Sequence, residues 1–444
     1  MDPAPRRELT LLDSVCLIVG IIVGAGIYQA APDIARGTAG GAGLLTLWLV
    51  GGLLSLCGAL GYAELASAYP QEGGDYAYLT RAYGRWAGFL FGWLQLVVVR
   101  PGDIAVMAFA FATYATAIDD PFGGGSLASG AKAYACAAVI VLTAINIVGV
   151  RQGKWTQNLL TAVKVAGLAA IVVVAVLAPH EGTPPRTAEP LPLGLALILV
   201  LFTFGGWNEM AYVAAEVVNP GRNIARALVL GTVSVTVLYL LVNVAFLYAL
   251  GHSGLAGSRA VAAETISTVF PSRAPALVSA LICISALGAV NGLIFAGARI
   301  SYAVGADHPV FRPLGRWHPR TGTPVRALLL QGLMAVALIL SLGSFLNTIL
   351  YTAAPVYLFY MATSLALIVL RRREPARPRP FRAWGYPLTT AVFSLTCAFL
   401  TCSAVAYKPK VAAAAVVILL AGVPVYLLSN RLRGKPTASI GHTP

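Results

Sequence analysis

Charge is the scarcest property of this chain. Asp, Glu, Lys and Arg make up 11% of its 444 residues, and only 17 residues are acidic. A soluble domain usually carries about 25% of these residues, so a water-exposed globular or disordered chain is excluded. Histidine is also rare. The five His (His180, His252, His308, His318 and His442) fall between apolar runs or in the tail. No carboxylate pair and no nucleophile–base set is visible, which argues against an enzyme. No Gly-rich loop ends in Gly-Lys-Ser/Thr, which excludes a nucleotide-driven pump. All six Cys (Cys16, Cys57, Cys136, Cys283, Cys397 and Cys402) lie inside apolar runs. They show neither zinc-ligand spacing nor a disulfide framework and read as small buried hydrophobes. No catalytic residue, metal or cofactor is expected.

Long apolar runs fill the space that charge leaves. The chain is 58% hydrophobic, with a mean hydropathy of +0.78. Runs of about 20 apolar residues recur from end to end, about twelve in all by the length a bilayer requires. The expected fold class is an all-α polytopic membrane protein. The net charge of +14 could suggest a nucleic-acid partner, but its distribution argues otherwise: 22 Lys and Arg fall on one side of the runs and 7 on the other. This positive-inside bias puts both termini in the cytoplasm of a multi-pass protein of the cell membrane, with the lipid bilayer and not nucleic acid as its partner.

One run is interrupted where a plain membrane helix would not be. Leu17 to Tyr28 carries Gly24-Ala25-Gly26 at mid-span. Gly is about 1 kcal/mol worse than Ala in a helix interior, and an opened turn in hydrocarbon is tolerated only where it lines a cavity. The sixth run answers it with Phe202-Thr203-Phe204-Gly205-Gly206-Trp207-Asn208-Glu209. A packing face of small residues is the alternative for one such site. Two interruptions at matching places in two five-helix units instead indicate a transporter with inverted repeats around a central site. The expected organisation is a tail (1–10), a first repeat (11–178), a second repeat (195–370), two further helices (388–429) and a second tail (430–444).

Few charges enter the spans. Arg100 and Asp103 flank Pro101 in the third; at i,i+3 they could pair on one helix face, or Asp103 could contact a ligand. Lys164, in the fifth, either snorkels to the interface or supplies an ammonium to a cation site in the bundle. Glu64, near a membrane edge, reads as a salt bridge or cap.

Together these stretches resemble the amino acid–polyamine–organocation transporter superfamily and, within it, the L-type amino acid transporter family. The residues that carry the resemblance are Ile22-Val-Gly-Ala-Gly-Ile-Tyr28, Tyr62-Ala-Glu-Leu65 with Gly73-Gly-Asp-Tyr-Ala-Tyr78, and Thr161-Ala-Val-Lys164. Phe204-Gly-Gly-Trp-Asn208 with Glu216-Val-Val-Asn-Pro-Gly-Arg-Asn223, Val290-Asn-Gly292 and Arg382-Ala-Trp-Gly-Tyr-Pro387 complete it. The resemblance implies a LeuT-type fold of twelve spans, with five plus five in inverted repeat, helices one and six broken, and two helices added.

It also implies sodium-independent exchange of neutral amino acids by alternating access; exchange of cationic amino acids or polyamines, or proton-coupled uptake, are the alternatives. Free N–H groups near Gly24, Ala25, Gly26 and Ile27 would hold the substrate carboxylate. Carbonyls of Ile22, Phe202 and Gly205 would hold its ammonium. Phe202 would gate, Phe204 would add apolar surround, and Asn208 would brace the break or the substrate. Lys164 would fill the position where sodium-coupled relatives hold an ion. Ala25 stands where the family often has Ser, and Asp103 where many relatives have a small neutral residue. Eukaryotic members join a glycoprotein through a Cys after the third span; Asp119 to Gly130 has none, so no disulfide-linked subunit is expected.

Overall fold

The computed structural model describes residues 5–119, 127–177, 189–267, 269–342, 345–407 and 409–433. Most of the loop between Asp119 and Gly130, and the end of the C-terminal tail, lie outside them.

Seventeen α-helices follow in order among the described residues. They are α1 (Leu11–Ile22), α2 (Gly26–Gln29), α3 (Ala31–Arg36), α4 (Gly41–Ala68), α5 (Asp75–Tyr83), α6 (Arg85–Leu94), α7 (Arg100–Ile118), α8 (Leu127–Val148) and α9 (Val150–Leu177). The second half holds α10 (Leu193–Thr203), α11 (Pro220–Ala256), α12 (Val261–Ser267), α13 (Ala274–Asp307), α14 (Val325–Leu342), α15 (Phe345–Arg373), α16 (Leu388–Tyr407) and α17 (Pro409–Leu432). Ten helical segments are long and apolar enough to cross a membrane. Two shorter apolar helices, Leu193–Thr203 and Val325–Ser341, accompany them. Strand pairing among the described residues is limited to isolated bridges. The protein is an all-α, multi-pass membrane protein of LeuT type.

The first broken run sits at the centre. α1 packs on α9, α11 and α13 together, while α4 lies along α11 and α7 along α13. Burial follows this order: eight of the twelve residues of α1 are buried, from Asp13 to Ile22. α1 starts at a capping box, in which Thr10 Oγ1 accepts from the Asp13 N–H and the Asp13 carboxylate accepts from the Thr10 N–H. This satisfies donors that the first helical turn would otherwise strand. Lys154 of α9 reaches over the same end, donating to Asp13 Oδ2 at 3.1 Å and to the Glu8 carbonyl at 2.7 Å.

Glu64 takes the structural role expected of it. Its carboxylate accepts from Arg371 at 2.5 and 2.8 Å and from the Ala383 N–H at 2.7 Å, tying α4 to the end of α15. Arg299, counted with the loop charges by sequence, instead lies buried inside α13.

Candidate functional site

Both interruptions are real breaks, and they abut. α1 ends at Ile22. Val23 leaves helical geometry (φ −75°, ψ 76°), and the Gly24 N–H turns back onto the Ile22 carbonyl at 2.8 Å. The chain becomes helical again at Gly26, in the single turn α2. α10 ends at Thr203, and the Gly205 N–H closes onto the Phe202 carbonyl at 2.9 Å. Gly206 has φ +106°, a conformation that L side chains rarely adopt. A Cβ there would lie 2.6 Å from Ile21 Cγ2, so the second break presses on the first. Beyond it the run does not resume as an α-helix. It continues as two 3₁₀ turns, Glu209–Tyr212 and Ala214–Glu216.

A cavity opens between the breaks. Ile22, Gly24, Gly26, Phe202, Gly205 and Asp103 line it, with Trp207, Tyr357 and Tyr360 among its aromatic walls. Apolar walls with a few placed polar groups are the usual make-up of a small-molecule site. Phe202 keeps 36% of its surface exposed, far more than the buried rings around it. Four of the residues expected to surround the substrate stand off the cavity. Ala25 and Ile27 are buried behind the turn, and Phe204 packs against Trp48 and Tyr239. Asn208 is fully buried; its amide donates to the Tyr212 hydroxyl (2.9 Å) and accepts from the Tyr360 hydroxyl (3.1 Å). Between the two roles considered for Asn208, this geometry is that of a brace.

The carbonyls at the breaks are partly engaged. That of Ile22 accepts from the Gly24 N–H and, at 2.9 Å, from the Tyr239 hydroxyl, while that of Phe202 accepts from Gly205. Those two bonds fill both lone pairs of the Ile22 oxygen, while the Phe202 oxygen keeps one. Lys164 does not snorkel. Its side chain is fully buried, and Nζ donates to the carbonyls of Gly20 (2.7 Å), Val23 (2.9 Å) and Ser285 (2.9 Å). The ammonium thus gathers the free carbonyls of the first break and one from α13. A residue that sequence did not single out makes room for it: a Cβ on Gly288 would sit 2.6 Å from Nζ.

The Arg100–Asp103 pair that i,i+3 spacing suggested does not form. Arg100 Nη1 instead donates to both carboxylate oxygens of Glu209, at 3.0 and 2.9 Å, with both side chains almost wholly buried. The cause is tertiary: both residues sit in the first turn of α7, where Pro101 is tolerated, and packing brings the Glu209 carboxylate to the guanidinium. The guanidinium lies against the Tyr212 ring at 5.3 Å. Asp103 is left lining the cavity with no hydrogen bond to any described residue. Glu209 stood in the quoted run without a role. An acid at that depth requires a buried cation, and Arg100 and Lys164 were the two available.

A second feature was missed. Gly73-Gly74-Asp75 reads as a turn, yet Asp75 is a fully buried hub under the second break. Its oxygens accept from Thr363 (2.5 Å), from Tyr62, and from Tyr212 (2.7 Å). Burial pushes its carboxyl above the usual range, against the three hydroxyl donors that lower it. Among the described residues, no group of His, Cys, Asp and Glu could hold a metal ion.

Comparison with known proteins settles the family. The amino acid permease family model matches residues 9–428. This chain belongs to the amino acid permease family. It is 31% identical to the b(0,+)-type amino acid transporter 1 of Oryctolagus cuniculus over 386 residues, covering 84% of this chain and 78% of that protein. Against the large neutral amino acids transporter small subunit 2 of Mus musculus the identity is 32%, covering 98% of this chain and 83% of that protein. The Asc-type amino acid transporter 1 of Mus musculus is 31% identical over 450 residues, covering 98% and 83%. These are transporters and not enzymes, and so is this permease.

Proposed function

We propose that this permease exchanges neutral L-amino acids across the cell membrane by alternating access, without sodium, with both termini in the cytoplasm. The observation that carries the reading is Lys164. A fixed ammonium on three carbonyls at the first break fills a cation site, so none has to be filled by a dissolved ion. Related chains named for large neutral amino acids support the substrate class, as does the largely apolar cavity. In this reading residues 11–178 and 195–370 are the two inverted repeats. The remaining lone pair of Phe202 and the Gly205 carbonyl take the substrate ammonium, joined by Ile22 when the substrate displaces one of its two donors; N–H groups at Ala25, Gly26 and Ile27 take its carboxylate, joined by that of Gly24 when it leaves the Ile22 carbonyl; and the exposed Phe202 ring covers it. The absence of Cys between Asp119 and Gly130 supports a transporter that needs no disulfide-linked subunit.

A second substrate class has an observation of its own. With the hydrogen bonds of Arg100 committed to Glu209, Asp103 faces the cavity with only the through-space attraction of that guanidinium. A carboxylate at membrane depth is costly, and a lysine or arginine side chain would neutralise it. A competition panel of all proteinogenic amino acids in proteoliposomes, on wild type and Asp103→Ser, decides. Aliphatic substrates competing best in both proteins support the neutral reading. A lysine-to-leucine selectivity that falls about tenfold or more in the variant replaces it with the cationic one. Counterflow into preloaded vesicles in sodium-free buffer tests exchange itself; uptake that requires sodium refutes the Lys164 argument.

A further inference from the structure

The face that carries the N-terminal segment is closed by a seam that none of the preceding roles requires. Glu8 and Leu9 donate their N–H groups to the Glu216 carbonyl, both at 2.9 Å, and the Val218 N–H returns to the Leu9 carbonyl at 2.9 Å. From the other side comes the loop between α4 and α5. Glu72 bridges Val213, and the Gly73 N–H donates to the Tyr212 carbonyl at 3.1 Å. Arg299 enters from α13. Its Nε and Nη2 take the two carboxylate oxygens of Glu216 at 2.6 and 3.0 Å, its Nη1 takes the Phe295 carbonyl at 2.7 Å, and it stacks on the Phe295 ring.

Glu72 is what this arrangement leaves over. It is 9% exposed; both carboxylate oxygens are buried, and neither has a hydrogen-bond partner among the described residues. The charged groups that act on it are Glu216, from the end of the second break, and Arg299, from α13. The titratable neighbours on its own side are Asp75, held by three hydroxyls, and Tyr78, whose hydroxyl is buried without a partner among the described residues. Two carboxylates thus share one guanidinium, and Glu216 holds it. A second buried anion without a donor would cost several kcal/mol; a neutral acid avoids that cost.

We propose that Glu72 is a proton-binding latch on the cytoplasmic seam: it takes a proton from the cytoplasm when the seam closes and returns it when the seam opens. The proton goes back to the side it came from, so none is carried across. The inference rests on the orientation and alternating access proposed above. Its sign follows from linkage. Burial first, then the charge of Glu216, hold the Glu72 carboxyl well above its usual range when the seam is closed, with Arg299 opposing. A hydrated Glu72 in the open seam returns towards about 4.3. The closed state therefore binds the extra proton between those two values. Acidifying the cytoplasmic side favours closure, and raising its pH favours opening.

The test uses the full chain reconstituted in one orientation, with pH varied on the cytoplasmic side alone. Exchange by wild type should fall about fivefold or more from about pH 8 to about pH 5.5. Glu72→Gln, a permanent mimic of the protonated acid, should be slow and flat over the same range, and Glu72→Asp should restore the response. A pH-flat wild type, or a Glu72→Gln variant with the wild-type response, overturns the proposal. Infrared difference spectra of the detergent-solubilised protein between the same two pH values give a readout independent of transport. Wild type should show a protonated-carboxyl band that Glu72→Gln lacks; its absence from wild type refutes the latch whatever the transport result. Loss of exchange at every pH with the band present instead refutes the transport reading alone.

Discussion

A single ammonium decides how the first break is held. Lys164 satisfies three buried carbonyls at once. Leaving buried acceptors unmet costs about 1–3 kcal/mol each, so Lys164→Ala should lower exchange about tenfold or more. Lys154, ten residues earlier, is a poor control because it ties Asp13 and the Glu8 carbonyl together. The exposed Arg151 serves better. Equal initial rates for Lys164→Ala and Arg151→Ala in proteoliposomes would remove Lys164 from the mechanism. The identity of this lysine was legible in the sequence but its direction was not. Two turns from a membrane edge, snorkelling and inward reach are both open, and the empty space above Gly288 selects between them. Arg100 teaches the same lesson: its sequence neighbour was the wrong partner, because packing places the Glu209 carboxylate, 109 residues on, against its guanidinium.

Paired glycines marked both interruptions correctly, yet they described the two elements unequally. After the first break the chain turns helical again at once, in α2 and α3. After the second, 3₁₀ turns persist to Glu216 because the side chains there have tertiary obligations: Asn208 to Tyr212 and Tyr360, Glu209 to Arg100, Tyr212 to Asp75, and Glu216 to Arg299. Those bonds outweigh local helix preference. The following helix starts sharply. It begins at Pro220, with Asn219 in the left-handed region (φ 50°) and the Asn223 amide returning to the Val218 carbonyl at 2.6 Å. Gly206 is the position where the two breaks depend on each other. Gly206→Ala meets both an unfavourable φ, worth about 1–2 kcal/mol, and an overlap with Ile21. It should lower the detergent-solubilised melting temperature by several degrees and reduce exchange. Gly40→Ala, where an added Cβ meets nothing within 4 Å, should do neither. Indistinguishable melting curves for Gly206→Ala and wild type would show that the abutment is not required.

Charge is sorted over the whole molecule. The excess of Lys and Arg on one side survives the removal of Arg299 from the loop count, and it supports both termini in the cytoplasm. Protease-cleavable tags at the two ends should therefore be cut together in inside-out vesicles and be spared together in right-side-out ones. Cleavage at opposite faces would reverse the assignment. The same face holds Glu8, Glu72, Glu216, Arg299, Glu64 and Arg371, so the seam on which the latch is proposed and the clamp from α4 to α15 share one layer.

By itself the sequence determined the class of molecule, the number and order of its apolar runs, and the two places where helices had to open. These are one-dimensional properties: transfer of apolar side chains out of water, the length of a bilayer, and the cost of Gly within a helix. Which buried charge faces which was decided only by the tertiary structure. Arg100 meets Glu209 across 109 residues, Arg299 meets Glu216 across 83, and Lys164 meets Gly20 across 144. In a low-dielectric interior a charge is stable only where donors and acceptors converge. That convergence is set by the packing of α1, α7, α9 and α13 and is written in no local stretch of residues. Asp103 and Glu72 are two acids this packing leaves without a hydrogen-bonded partner among the described residues, one in the cavity and one at the seam.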